Sequence, residues 1–332
     1  MRSVYIVENP LMDYIMHEQG SFLDAFKAPP GSMRLVSHEE FAAVIAASSG
    51  HKVVPGGSGA NTARALALLL GPDAADFGPV AYSGGVGQDE IGKSYGAILR
   101  SLEIETALAI KPGSTGASAI VVTPDHERTM FTYLGACRDF CPDDLRLDIL
   151  EDSRFFYATG YMWDTEPQLE ALKLAVATAR NAQVRVCFDL ADPFVVERYY
   201  AELREWIKGK VDVLFGNREE LARMTECSGS DAEIIGRAAN LAPVVVMKIG
   251  KGGCLVLAEG RLSHASGEQV VPVDSTGAGD SFAAGFLYGL LAGKDLSTCA
   301  RLGNRIASRI VAVEGCRYDL IDRNEILAVL GD

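Results

Sequence analysis

Short apolar runs recur along this chain, each followed by a glycine-rich or polar turn and then by apolar residues at helical spacing. The runs at 3–7, 80–84, 155–158, 184–188, 211–215 and 244–249 predict strands. The amphipathic stretches at 62–70, 91–102, 167–180 and 193–206 predict helices between them. Strands alternating with helices of this length imply a parallel sheet covered on both faces. Two stretches break the rhythm. Residues 117–122 and 130–134 flank Thr123-Pro124-Asp125-His126-Glu127-Arg128, the pattern of a β-hairpin with a polar turn. Residues 14–40 show no clear alternation. With the hairpin they read as one discontinuous β-rich subdomain, a lid that keeps water from a site on the main sheet.

Composition narrows the function classes. A chain of 332 residues that is 48% apolar can bury a large core, and parallel α/β domains reach this size. No repeat, low-complexity tract or dividing linker is present. The formal net charge of −13 repels phosphate backbones and anionic lipid, which argues against nucleic-acid and membrane partners. A small anion is still compatible, because a local ring of backbone N–H groups overrides a distant net charge. No run approaches the roughly 18 apolar residues of a membrane helix, and the stretch from Met1 to Asn9 lacks the pattern of a signal peptide. The seven cysteines are scattered and fall mostly in apolar runs, as reduced thiols of a cytoplasmic protein do. The five histidines are dispersed, and no zinc-ligand spacing occurs.

The chemistry concentrates near the carboxyl terminus. A strand-like run at 268–273 leads into Asp274-Ser275-Thr276-Gly277-Ala278-Gly279-Asp280 and a helical stretch at 281–291. Gly277 and Gly279 allow a tight turn that points successive N–H groups, Ala278 between them, at one spot. The helix start adds unpaired amides and a positive dipole end, so the loop is a socket for an anion. Asp280 at a helix start can be a plain N-cap. Beside such a socket it can instead take the proton of an acceptor hydroxyl while a phosphoryl group sits over Gly277–Gly279, aligned for in-line transfer.

Asp274–Asp280 with Ser281-Phe282-Ala283-Ala284-Gly285-Phe286 resembles the carboxyl-terminal signature of the PfkB/ribokinase family of ATP-dependent kinases. The resemblance implies a ribokinase-like three-layer α/β/α sandwich with a mostly parallel central sheet and a small discontinuous β-rich lid. It implies ATP as co-substrate, Mg2+ as cofactor and Asp280 as base; K+ stays open as a further ion. The expected large domain spans 1–12, 50–104 and 136–332, and the lid 13–49 and 105–135.

Other segments carry the same likeness. Gly56-Gly57-Ser58-Gly59-Ala60-Asn61 reads alone as a turn with Asn61 as N-cap. It resembles the family's substrate motif, in which two glycines let a sugar approach and the Asn bonds a hydroxyl. Asn9-Pro10-Leu11-Met12-Asp13 resembles the adenosine kinase branch, where the Asp matching Asp13 holds ribose hydroxyls; a carboxylate accepts from both members of a vicinal pair. Asn217 and Glu220 stand three apart at a helix start and match the Asn-x-x-Glu motif, which binds phosphates and the magnesium shell, mostly through water. Lys248 and the turn Gly250–Gly253 resemble the nucleotide-side turn, Thr276 belongs to the signature loop, and Asn304 lies on the helix expected beside the adenine of ATP. Leu134 and Gly160-Tyr161-Met162-Trp163 fall where the branch encloses the nucleobase; an aromatic there could stack on a purine or belong to the core, and the sequence leaves Tyr161, Met162 and Trp163 equally open.

A competing pattern exists. Gly87-Gln88-Asp89-Glu90-Ile91-Gly92-Lys93-Ser94 fits G-x-x-x-x-G-K-S after a strand and before a helix. Asp89 and Glu90 would place two carboxylates in a loop meant to cradle phosphates, and that reading leaves Asp274–Asp280 unexplained. The sequence therefore reads as a kinase of the ribonucleoside 5′-hydroxyl, adenosine to AMP. A sugar kinase of the same fold (ribose, fructose or 2-keto-3-deoxygluconate type) is the main alternative, with a P-loop NTPase and a catalytically silent binding protein as further ones. The expected partners are the small-molecule substrate and ATP, in a monomer or homodimer.

Overall fold

The structure is a computed structural model and describes residues 1–125 and 127–331. His126 of the expected hairpin turn and Asp332 lie outside the described residues. In strand β1 (Arg2–Val7), Val4 and Ile6 enter the core on one side of the sheet, and Tyr5 and Val7 enter the core on the other. Side chains alternate along a strand, so a strand covered on both faces must be apolar at every step.

The next strands in the chain are β2 (Leu11–His17), β3 (Met33–Leu35), β4 (Lys52–Gly56), β5 (Ala81–Gly87) and β6 (Glu105–Lys111). They are followed by β7 (Gly116–Val122), β8 (Arg128–Tyr133), β9 (Ser153–Thr159) and β10 (Arg185–Asp189). The last four are β11 (Val213–Asn217), β12 (Val244–Lys248), β13 (Cys254–Ala258) and β14 (Arg261–Ala265). Nine of them form one sheet in the order β14-β13-β12-β11-β10-β9-β1-β5-β6, parallel except for the terminal pairs β12–β13 and β13–β14. Helices Ser58–Leu70, Ala278–Leu291 and Leu296–Val311 cover one face through residues such as Leu66, Phe286 and Ile306. Helices Glu166–Asn181, Pro193–Ile207 and Arg218–Thr225 cover the other through Leu172, Leu203 and Leu221. The result is three layers, helix over sheet over helix.

The remaining strands make a second sheet in the order β3-β8-β7-β2-β4. Strands β7 and β8 pair antiparallel as the hairpin pattern predicts. The two sheets divide the chain differently from the expected boundaries. Residues 105–111 pair with β5 in the large sheet, and residues 52–56 pair with β2 in the small one. Residues 13–17 belong to β2, an element the irregular polarity of that stretch concealed, because one face of the lid lines a cavity and is not uniformly apolar.

Three sequence expectations need correction. The run at 268–273 forms no strand. Its valines do not enter a core: Val271 is 82% exposed and Val270 lines a cavity, while Val273 N donates to Val311 O at 2.8 Å. The helix after it begins at Ala278 and not at 281, so Asp280 is its third residue, and Gly277 occupies the N-cap position. Likewise Asn61 is no N-cap. Its helix begins at Ser58, capped by Gly57, and Asn61 lies buried one turn in. Among the described residues no helix is long and apolar enough to cross a membrane, and all seven cysteines are free.

Candidate active site

Parallel sheets gather functional groups at the carboxyl ends of their strands. Here Glu8 follows β1, while Asp189, Asn217 and Lys248 end β10, β11 and β12. Above them lies a cavity of about 740 Å³, walled by the large sheet's loops below and by β2, β3, β7 and β8 of the small sheet above. All the candidate site residues except Gly56 line it.

The loop before helix Ala278–Leu291 is shaped by Asp274. Its Oδ1 accepts from Thr276 N at 2.8 Å and from Thr276 Oγ1 at 2.6 Å, and its Oδ2 accepts from Gly315 N at 2.9 Å. These bonds, together with the Arg128 guanidinium, hold its carboxyl below the ordinary range despite burial. Gly277 follows with φ +69°, and a Cβ there would lie 2.3 Å from Cys316 Sγ, so only glycine fits. Ala278 N closes the turn on Ser275 O at 3.2 Å. The amides of Gly277 and Gly279 have no such partner among the described residues, which leaves them for an anion at the helix mouth. Lys248 reaches the same place, since a Cβ on Gly279 would sit 3.2 Å from its Nζ.

Asp280 opens onto the cavity one residue further on. Ser58 Oγ donates to its Oδ1 at 2.7 Å, and Asn61 Nδ2 donates to its Oδ2 at 3.0 Å. Burial raises its pKa, and these two bonds oppose the rise. The side chain is thus aimed at the cavity and held at fixed orientation beside the amide socket, the arrangement a general base requires.

Asp13 faces the cavity from the small sheet. Burial first, then the nearby Asp280, push its carboxyl up to about 7. Gly56 stands behind it: a Cβ there would fall 2.0 Å from Asp13 Oδ2, so this glycine makes room for the carboxylate and does not touch the cavity. Gly57 has φ +89° and would collide with Asn9 O at 2.4 Å if it carried a Cβ.

On the other side, Lys248 Nζ donates to Asp189 Oδ2 at 2.6 Å. Burial lowers the lysine, but Asp189 and Glu220 more than compensate, and it stays charged. Asn217 and Glu220 form a reciprocal cap: Asn217 Oδ1 accepts from Glu220 N at 2.8 Å, and Glu220 Oε2 accepts from Asn217 N at 2.7 Å. Glu220 is buried and raised by that burial, Lys248 opposing and Asp189 reinforcing the shift. Asn304 Nδ2 donates to Ala265 O at 2.9 Å and Ser266 O at 3.2 Å, so its amide pins the loop after β14. Gly250 and Gly253 bound the turn after β12, both with positive φ. Leu134 and Tyr161 also line the cavity, and Tyr161 Oη donates to Asp192 Oδ2 at 3.4 Å.

Several cavity residues were not singled out from the sequence. Arg128, at the start of β8, donates from one nitrogen to Thr276 Oγ1 and from the other to Ser275 Oγ at 2.7 Å, so the lid reaches the anion loop. Its signal was an arginine in a polar hairpin turn, which is usually solvated. Ser58 lay inside the quoted glycine motif, and Asp189 directly follows the strand predicted at 184–188.

The P-loop-like segment is structural. Asp89 Oδ1 accepts from Gly92 N at 2.8 Å and Thr115 Oγ1 at 2.6 Å, and Oδ2 accepts from Thr115 N at 2.8 Å. A carboxylate thus occupies the helix end where a phosphate would have to bind. Lys93 is exposed and paired with Glu90. Lys93→Ala is expected to change kcat and KM by no more than about twofold, as exposed substitutions do. A loss of turnover in steady-state assays would restore the P-loop reading.

The sequence profile of the pfkB family carbohydrate kinases matches residues 32–323. A nucleoside kinase from Methanothermobacter thermautotrophicus is 30% identical over 246 residues, covering 72% of this chain and 75% of that protein. An adenosine kinase from Dictyostelium discoideum is 27% identical over 328 residues, covering 92% and 94%. The crystal structure of adenosine kinase from Sinorhizobium meliloti superposes with a TM-score of 0.91 at 29% identity, over 100% of this chain and 99% of that one.

Proposed function

This chain belongs to the pfkB family of carbohydrate kinases and has their ribokinase-like α/β fold, and from that premise we propose that it phosphorylates the 5′-hydroxyl of adenosine to give AMP. At the coarser level it is a ribonucleoside or sugar kinase of that family, with ATP as co-substrate. The observation that carries the nucleoside reading is the lid side of the cavity. Met33, Leu35, Ile120, Met130 and Leu134 give it a mainly apolar lining, with Ser118 and Thr132 among them. A planar base suits such a lining, whereas a free sugar would leave its hydroxyls facing hydrocarbon. The adenosine kinases among the similar proteins agree with this assignment.

In this reading Asp13, Gly57 and Asn61 hold the ribose so that the 5′-oxygen lies between Asp280 and the amides of Gly277 and Gly279. The 5′-oxygen attacks the γ-phosphorus as its proton passes to Asp280, and the bond to the β,γ-bridging oxygen breaks to release ADP. The two amides and Lys248 stabilise the charge on the transferring group. The small sheet of β2, β3, β4, β7 and β8 acts as the lid, with Arg128 tying it to the loop that meets the phosphate. The oxygen donors of Asn217 and Glu220 are too few to cage an ion but suit a magnesium that keeps its waters, and both would hold it through that shell. Magnesium, when bound, neutralises the phosphate oxygens of ATP.

Assays of purified protein with magnesium and ATP over adenosine, other nucleosides, ribose, fructose and 2-keto-3-deoxygluconate test the substrate. Adenosine is expected to give the highest kcat/KM. Turnover of a free sugar with none of adenosine rejects the proposal.

A further inference from the structure

Asp13 and Asp280 place two carboxyls in one cavity, and the proposed chemistry needs both of them charged. Asp13 must accept from ribose hydroxyls, and Asp280 must take the 5′-proton. Like charges sharing a poorly solvated site drive one of them to keep its proton unless a cation stands near. Two cations in the cavity wall are already committed. Arg128 bonds Ser275 and Thr276 and faces Asp274 at 3.4 Å, and Lys248 pairs with Asp189. Arg64 is not committed in this way. It stands one turn after Asn61 on helix Ser58–Leu70 and does not itself line the cavity. Its Nη1 donates to Pro55 O at 3.0 Å and to Asn61 Oδ1 at 3.4 Å, and its Nη2 donates to Cys316 O at 3.0 Å. Its Cζ lies 5.0 Å from the centre of the Tyr318 ring. All three hydrogen bonds go to neutral oxygens, so the guanidinium is pinned in place with no carboxylate in ion-pair contact among the described residues.

Resting on the nucleoside reading above, we infer that Arg64 is a positioning residue that holds the Asn61 amide toward Asp280 and supplies the counter-charge for the Asp13–Asp280 pair from outside the cavity. With Asn61 Oδ1 facing the guanidinium, its Nδ2 faces Asp280 Oδ2 at 3.0 Å. The flipped amide would set donor against donor and oxygen against carboxylate. Burial and then Asp280 push Asp13 up to about 7, and Arg64 is the foremost group opposing them, ahead of Arg128, while Asp274 adds to the rise. Tyr95 and Cys316 also lie in the field of Asp13, and burial raises both, which keeps them neutral. Without Arg64 the Asp13 carboxyl would hold its proton to higher pH, and a protonated carboxyl donates where the ribose hydroxyls need an acceptor.

The test is kcat/KM for adenosine with magnesium and ATP across pH, in the parent protein and in Arg64→Gln, Arg64→Met and Arg64→Lys. The acidic limb of kcat/KM reports groups of the free enzyme, Asp13 among them. Loss of the cation moves that limb to higher pH. Arg64→Gln and Arg64→Met are therefore expected to lose about tenfold near about pH 6 and no more than about twofold near about pH 9. Arg64→Lys keeps the charge and is expected to follow the parental profile. Arg64→Gln can still donate to Pro55 O or Asn61 Oδ1, so it reads the charge even where Arg64→Met does not fold. A purely structural role would lower kcat/KM by one factor at every pH, and Arg64→Lys would restore nothing. A parental pH profile in Arg64→Gln overturns the inference, as does a displaced limb in Arg64→Lys. Either result with a parent active on adenosine removes only this inference, whereas a parent without turnover of any nucleoside removes the proposed function with it.

Discussion

Replacing Asp280 with asparagine is expected to lower kcat about 10²–10⁴-fold, the range a positioned general base supplies, with KM for the nucleoside nearly unchanged. The amide keeps the size of the side chain and still accepts from Ser58 or Asn61, so the helix mouth stays intact. What it loses is the capacity to receive the 5′-hydroxyl proton as the oxygen attacks. The parent protein offers an independent check. Burial raises the Asp280 pKa, partly offset by the bonds from Ser58 and Asn61 and further raised by Asp189. Only the ionised form is a base, so kcat should decline as pH falls through a value above the ordinary carboxylate range. The residual rate of the variant should lack that acidic limb. Steady-state kinetics across pH decide the matter, and an Asp280→Asn protein with undiminished kcat removes the mechanism.

Gly277→Ala is expected to cost about 10²–10³-fold in kcat, comparable to losing a donor from an oxyanion hole. Two separate obstacles act at this position. The residue sits at φ +69°, which costs an L-residue about 1–2 kcal/mol, and its Cβ would lie 2.3 Å from Cys316 Sγ. Relief of either collision moves the loop, and the amides of Gly277 and Gly279 turn away from the transferring phosphate. Adding Cys316→Ala removes the sulfur but not the backbone strain, so the double variant should regain part of the lost rate. Thermal melts run alongside separate this loss from unfolding. A folded Gly277→Ala protein with parental kcat would show that these amides stabilise no transferring charge.

Local chemistry explains how much could be read without coordinates. The strands that proved buried on both faces, such as β1, β9 and β12, had to be apolar at successive positions, and their runs stood out in the sequence. The exposed edge of the large sheet and the strands of the lid did not. Strand β14 is exposed along most of its length, and β2 alternates between a lid core and the cavity, so neither carried a clean period. The strand expected at 268–273 had the polarity pattern of a strand but no neighbour to pair with. In the candidate site, the glycine loop was legible because turn geometry and helix-end amides depend on adjacent residues. Arg128 was not, because its partners Ser275 and Thr276 lie 147 and 148 positions away.

By itself, the sequence determined the alternating α/β order, the glycine turn ending in Asp280, and the sites where chain direction changes. Those are properties of neighbouring residues: backbone angles, helix-end amides and the period of apolar side chains. Only the tertiary structure decided what surrounds each carboxylate. Ser58 and Asn61 grip Asp280 from 222 and 219 residues away, and Lys248 pairs with Asp189 across 59. A charged group's behaviour depends on which segments desolvate it and which donors reach it, and chain folding brings those together over separations that no local pattern encodes.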